Sequence, residues 1–317
     1  MKRIGNLYHK IYSLDNLRLA DEKARKGKRN SYGVKFHDKN KEANILKLHN
    51  DLKTRSFKTS SYEIFKIYEP KEREIYRLPY FPDRIMHHAV MNIMEPIWME
   101  IFTADTYSCI KGRGIHSCTG KIEKRLREDV VKTKYCLKLD IRKFYPTIDH
   151  DVLKGILARK IKDKDLMWLL GEVIDSAAGV PIGNYLSQYF ANLYLAYFDH
   201  WIKEQKGVKD YYRYADDMVI LAETKAELHQ LFKEIDSYMT NNLNLQIKGN
   251  YQVFPVEKRG LDFLGYRLWH THTLLRKKIK KNFAKAVARG KGKETIISYM
   301  GWAKHCDSKN LIKKLAA

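Results

Sequence analysis

Tyr214-Ala215-Asp216-Asp217 sets two adjacent carboxylates between two apolar runs, Tyr211–Tyr214 and Met218–Leu221. Two like charges side by side cost free energy unless a cation compensates them. Successive side chains of a strand point to opposite faces, so a turn is needed before both acids can approach one ion. A third carboxylate, Asp140, sits near the end of another alternating run, Tyr135–Ile141. Three carboxylates from two neighbouring strand ends suit two Mg²⁺ ions, with Mn²⁺ able to substitute. These hard cations take oxygen ligands, keep some water and share coordination with substrate phosphates. Asp140, Asp216 and Asp217 are therefore the candidate catalytic and metal-holding residues, and the backbone carbonyl of Ile141 is a candidate fourth oxygen. Taken alone, Asp216-Asp217 matches an ordinary acidic hairpin tip equally well, because short motifs recur.

The elements that must carry these acids follow from periodicity. Residues 211–214 and 218–221 read as strands meeting at the Asp pair, and 135–141 as a strand ending at an acid. Asp149 is an N-cap for a helix over 149–161. Residues 179–183 form a loop before a long apolar helix, 187–203, and 225–239 is another helix. Upstream, Leu7, Ile11, Leu14 and Leu17 recur at helical spacing, and a second helix covers 44–53. Residues 62–68 and 73–78 form a strand and its return, interrupted at Pro70. A helix over 83–94 should end or kink at Pro96. Short strands are expected at 246–256 and 261–268, then a basic helical tail from Leu275. Strands alternating with helices indicate sheet and helix layers.

Composition narrows the partners. The 317 residues carry a net charge of +23, with 44% hydrophobic and 31% charged residues, enough to bury a sizeable core and too apolar for a disordered chain. Residues 1–60 hold +10 and 266–317 hold +12, whereas 61–265 hold only +1. Two basic ends around a neutral middle point to a polyanion, of which nucleic acid is the commonest large example. No run approaches the roughly 18 apolar residues a membrane span needs, and the first residues lack a signal-peptide core. Cys109, Cys118, Cys136 and Cys306 have no zinc-like spacing and read as thiols of a reducing compartment. The pairs His87-His88 and His270/His272 lack companion ligands.

The order of these motifs resembles that of reverse transcriptases: Arg73–Pro79 and Asp83–Ala89, then Leu139-Asp140-Ile141-Arg142-Lys143-Phe144-Tyr145, Gly183–Gln188, Tyr214–Asp217 and Leu261–Tyr266. The resemblance implies an α+β right-hand polymerase fold with an antiparallel palm sheet packed on helices. It implies a basic N-terminal extension over 1–60, fingers over 61–134, palm with interleaved fingers elements over 135–265 and a short helical thumb over 266–317. Tyr145, with Phe144 beside it, falls where the family blocks a ribose 2′-OH; the other reading of such a ring is core packing. Lys71, Arg73 and Arg84 become candidates for the triphosphate. Lys248 becomes the candidate general acid, Lys111 and Arg113 template contacts, and Phe263, Leu264, Gly265 and Tyr266 the primer grip.

Within the family, group II intron and retroviral enzymes usually carry Gln before this loop glycine and Ser-Pro after it. Ile182-Gly183-Asn184-Tyr185-Leu186-Ser187-Gln188 departs from that pattern and is similar to reverse transcriptases of diversity-generating retroelements, as are residues 252–266 and His87-His88. That similarity implies copying of a template-repeat RNA into cDNA with errors opposite adenines, from dNTPs, alongside a basic accessory protein and template RNA with its primer or cDNA. An aliphatic Ile182 makes fewer directional contacts than Gln, so fidelity should be low. Alternatives within the class are a group II intron-like or abortive-infection enzyme. Outside it stand an RNA-dependent RNA polymerase, an untemplated nucleotidyl transferase and a non-catalytic RNA-binding protein. A bacterial, archaeal or phage cytoplasmic protein with no membrane partner is expected.

Overall fold

The structure, a computed structural model, describes residues 3–68 and 72–316. The chain opens on α1 (Tyr8–Ile11), α2 (Leu14–Ala24), α3 (Tyr32–Asp38) and α4 (Lys41–Lys53), then β1 (Glu63–Ile67), β2 (Arg73–Arg77) and α5 (Ile85–Met99). Next come β3 (Thr106–Tyr107), α6 (Ile115–Glu128), β4 (Tyr135–Asp140), α7 (Phe144–Thr147), α8 (His150–Ala158) and α9 (Lys164–Ile174). They are followed by α10 (Tyr185–Tyr194), α11 (Ala196–His200), β5 (Tyr211–Tyr214), β6 (Asp217–Ala222) and α12 (Lys225–Leu243). The remainder is β7 (Gln252–Pro255), α13 (Val256–Arg259), β8 (Leu261–Phe263), β9 (Tyr266–Leu268), β10 (Thr273–Leu275), α14 (Lys277–Ala288), α15 (Lys293–Ala303) and α16 (Lys309–Ala316).

Packing divides the chain into two compact units. One comprises Met1–Ala104, Arg142–His200 and Thr240–Leu245; the other comprises Asp105–Ile141, Trp201–Met239 and Gln246–Ala317. In the first, α5 is a buried spine whose Ile85, Met86, Ala89, Val90, Met94 and Trp98 are all shielded from water. The antiparallel β1–β2 hairpin, by contrast, is open to solvent along the whole of β1. In the second unit a five-stranded sheet runs β3-β5-β6-β4-β7, antiparallel except for the β3–β5 pair. A three-stranded antiparallel sheet runs β10-β9-β8. Cys136, Val219, Leu221, Phe254, Phe263 and Tyr266 from the two sheets share one core with Cys118, Ile122 and Leu126 of α6.

Several elements depart from their expected extents, each for a physical reason. The first helix is broken: Ser13 turns extended and its hydroxyl accepts from Asn16 N–H, which starts α2 afresh. Pro96 does not end α5, because Met94 and Trp98 on either side of it are both buried and their packing outweighs one missing backbone bond. The apolar stretch 187–203 is divided among α10, α11 and a π-helical turn over Trp201–Gln205; apolar periodicity reports burial, not an unbroken hydrogen-bond ladder. The basic tail is not a free appendage. Leu275 and Ala303 are in the core of the second unit, and Trp302, Leu311 and Ile312 pack against it.

Candidate active site

The acidic cluster is a product of register. β4 and β6 pair antiparallel with Asp140 opposite Asp217, so both side chains rise from one face of the sheet. β5 and β6 form a tight hairpin in which Tyr214 faces Asp217 and only Ala215 and Asp216 make the turn. Ala215 has φ 54°, a left-handed conformation that costs a non-glycine residue about 1 kcal/mol. The strained turn is what lets Asp216 leave the strand alternation and lie beside the other two acids.

Electrostatics record that crowding. Burial, then the neighbouring Asp140 and Asp217, push the Asp216 carboxyl up to about 7. Asp140 Oδ1 is buried without a hydrogen-bond partner. Its Oδ2 is held by the Lys248 ammonium, and the Asp140 carbonyl accepts from Lys248 N–H at 2.9 Å. The following residue, Ile141, is fully buried and bridges Ile247. Lys248 thus arrives at the acids from a separate segment of the chain.

One supporting residue is not among the candidates that the motifs supply. Arg213 is a wholly buried arginine, and its Nη1 donates to the Ala215 carbonyl at 3.0 Å. A guanidinium beneath the turn fixes the carbonyl at the strained residue. The clue in the sequence is an arginine inside an otherwise apolar strand, which is expensive to bury unless its donors are used.

A second group lies in the other unit. Gly179 has φ +61°, and a Cβ there would fall 2.4 Å from the Tyr145 carbonyl. Val180 N–H donates to that same carbonyl at 2.8 Å. At the far end of the loop the Ile182 carbonyl accepts from Tyr76 N–H at 2.8 Å, and Gly183, φ +125°, leaves room only for hydrogen against Tyr76 O. The loop is therefore fastened to α7 at one end and to β2 at the other. Phe144 is buried and Tyr145 half-buried, their rings edge-on at 5.7 Å. Arg73 is exposed at the start of β2; Lys71 lies outside the described residues. Arg84 is half-buried and donates to the Ala24 carbonyl at 3.4 Å; burial, then the charge of Arg84, lowers the pKa of Lys28.

The β8–β9 turn is built from Leu264 (φ 46°) and Gly265 (φ 89°), the two left-handed residues of a tight hairpin. Phe263 and Tyr266 beside it are buried, and the Tyr266 hydroxyl donates to the Trp302 carbonyl at 2.9 Å. The exposed face of this sheet belongs instead to Asp262, Arg267 and Leu274. Lys111 is exposed and Arg113 half-buried in the loop before α6, where Ser108 N–H donates to the Arg113 carbonyl at 3.1 Å.

Comparison with known proteins now decides the family. The model of the family described as reverse transcriptase (RNA-dependent DNA polymerase) matches residues 69–268. The chain belongs to the reverse transcriptase family. Among curated relatives, Protein YkfC of Escherichia coli is 25% identical over 250 residues, covering 64% of this chain and 66% of that protein. The group II intron-encoded protein LtrA of Lactococcus lactis is 25% identical over 140 residues, covering 41% of this chain and 23% of LtrA. The chain thus spans less than two thirds of the length of either. Among solved structures, the telomerase of Candida albicans in complex with a fragment of telomeric RNA superposes with a TM-score of 0.53 at 11% identity, covering 83% of this chain and 57% of that one. That likeness is one of fold, and it agrees with the mixed helix and antiparallel-sheet architecture.

Reverse transcriptases use divalent metal ions, and the donor set here suits them. It consists of carboxylate oxygens, one of them buried and unpartnered, beside an acid whose ionisation is opposed by its neighbours. A hard cation relieves both conditions. Among the described residues, no three Asp, Glu, His or Cys side chains close on a common point as a finished ligand shell; at Asp140 the Lys248 ammonium supplies the positive charge.

Proposed function

We propose that this chain is an RNA-directed DNA polymerase that extends a primer on an RNA template, with Asp140, Asp216, Asp217 and the Ile141 carbonyl holding two Mg²⁺ ions. The observation that carries the reading is the register that puts Asp140 opposite Asp217 with Asp216 in the turn between β5 and β6. Ions held by these residues would supply the charge that favours attack by the primer 3′-hydroxyl and departure of pyrophosphate. Lys248, which is bonded to Asp140, gives a proton to that leaving group in this reading. Tyr145 excludes the ribose 2′-OH of the incoming nucleotide, and Arg73 and Arg84, with Lys71, bind its triphosphate. The β8–β9 hairpin steadies the primer, and Lys111 and Arg113 the template. These roles assign 61–134 to fingers, 135–265 to palm and 266–317 to thumb.

Ile182 supports the finer reading, a diversity-generating enzyme that copies a template-repeat RNA with errors concentrated opposite adenine, in a cytoplasm and beside a basic accessory protein. A second reading, a group II intron-like enzyme, is favoured by the similarity to LtrA. Primer extension on a defined RNA template separates them: the first requires frequent misincorporation opposite template adenine, reduced by Ile182→Gln, and the second requires accurate copying. Absence of dNTP addition on any RNA template would remove both.

A further inference from the structure

The Gly179–Asn184 loop has a further fastening, made by Asn184 with Tyr62 and Ser176. Asn184 stands at the N-cap of α10, and asparagine is among the best N-cap residues, yet its side chain makes no capping bond. Instead, the buried Asn184 Nδ2 donates to the Tyr62 hydroxyl at 2.9 Å. The Tyr62 and Ser176 hydroxyl oxygens are 2.6 Å apart, and Ser176 Oγ donates to the Val173 carbonyl at 2.6 Å. The direction of the relay is fixed by hydrogen count. Ser176 gives its one hydrogen to Val173, so it accepts from Tyr62, and the Tyr62 oxygen is left to accept from Asn184. Tyr62 also meets Tyr76 edge-on at 5.5 Å, and Tyr76 N–H is the donor that holds Ile182. Both rings line one wall of a cavity of about 670 Å³ that Lys58, Thr59, Ser60 and Ser61 border.

The geometry points to Tyr62 as a positioning and specificity-determining residue: with Asn184 it forms a latch that fixes Ile182 relative to the Tyr145 carbonyl and to β2. An N-cap residue diverted from its own helix is the mark of a bond kept for another purpose. The hairpin it joins has an outer strand exposed throughout, so the latch adds to the Tyr76–Ile182 bond and the Gly183 contact in setting how closely β2 approaches the loop. Loosening the latch lets Ile182 wander without breaking any bond of β4 or of the β5–β6 hairpin, which carry the carboxylates. The inference rests on the polymerase reading and on Ile182 facing the nascent pair.

Tyr62→Phe removes the hydroxyl and keeps the ring; Asn184→Ser removes the reach and keeps a capping oxygen for α10. In steady-state single-nucleotide addition, each variant should raise KM for the correct dNTP roughly three- to tenfold, the value of one hydrogen bond, with kcat within about twofold of the parent. The double variant should be no worse than either single one, because both break the same latch. The gain in discrimination from Ile182→Gln should shrink in the Tyr62→Phe background. A merely structural hydroxyl would lower the melting temperature and the active fraction while leaving KM and the error spectrum unmoved, and that result overturns the proposal. If Ile182→Gln alone leaves errors unchanged but Tyr62→Phe raises KM, the latch stands and the fidelity role of Ile182 falls.

Discussion

The carboxylate face of β4–β6 and the Gly179–Asn184 loop are both held with little tolerance, by opposite means. Cross-strand register sets Asp140 opposite Asp217, the two-residue turn between β5 and β6 adds Asp216, and a buried arginine supports that turn. The loop has no ladder of its own. It is held by individual bonds to distant segments: Val180 to Tyr145, Ile182 to Tyr76 and Asn184 to Tyr62. A strand ladder fixes side chains through many shared bonds, whereas a loop fixed by single bonds can be loosened one fastening at a time.

The sharpest way to separate the two regions is to remove charge from the first. Asp216→Asn keeps the shape of the side chain and removes one of three crowded acids. Nucleotide addition should fall by at least about 10³-fold, the scale of losing one carboxylate of a site that would hold the metal ions, while thermal stability holds or rises because a repulsion is relieved. Primer extension and a melting curve measure both; retained addition would disqualify the acidic face.

Next in size is the support of that face. Arg213→Ala leaves a cavity and an unserved Ala215 carbonyl under the strained turn. A loss of about 3 kcal/mol or more is expected in urea denaturation. A loss below about 1 kcal/mol would mean that the turn stands without its arginine.

How legible each region was follows from the same contrast. Alternation over Tyr135–Asp140 and the unbroken apolar run that follows Asp217 are local signals, and they suffice to place Asp140 and Asp217 on strand ends. Asp149 as the cap of α8 was equally local, its carboxylate accepting from Asp151 and Val152 N–H. Tyr62 and Asn184 are 122 residues apart, and nothing in either neighbourhood announces the other. Ser13 could have been read as a helix start, since its residue type favours caps. Pro96 could not, because the burial of Trp98 that carries α5 past it is a tertiary fact. Loops and long-range fastenings stay hidden because they have no period.

In the unit that holds the loop, the α5 spine offers a test by pH. Burial, then His88 and Arg84, push the His87 imidazole down to about 3. In the unfolded chain it titrates near 6.5. The unfolded state therefore binds the proton first, and stability is lost as pH falls from about 6.5 toward 3. The loss is on the order of 3 kcal/mol at pH 4. His87→Leu should flatten this part of the stability curve between pH 7 and 4, measured by urea midpoints. An unchanged slope would place the acid sensitivity elsewhere, the buried His37 beside Asp21 being the next group to test.

The smallest effect probes the fastening itself, through two glycines. Gly183 and Gly112 both have positive φ, +125° and +78°, but a Cβ at Gly183 would fall 2.5 Å from the Tyr76 carbonyl, whereas one at Gly112 meets nothing within 4 Å. Alanine at either position incurs torsional strain of about 1 kcal/mol or more; only at 183 must the backbone of β2 also give way. Gly183→Ala should therefore cost about 1 kcal/mol more than Gly112→Ala and raise KM for dNTP, since the Tyr76–Ile182 bond has to lengthen. If the two substitutions cost the same and KM is unmoved, β2 yields freely at this point, and the loop is set from the Tyr145 end alone.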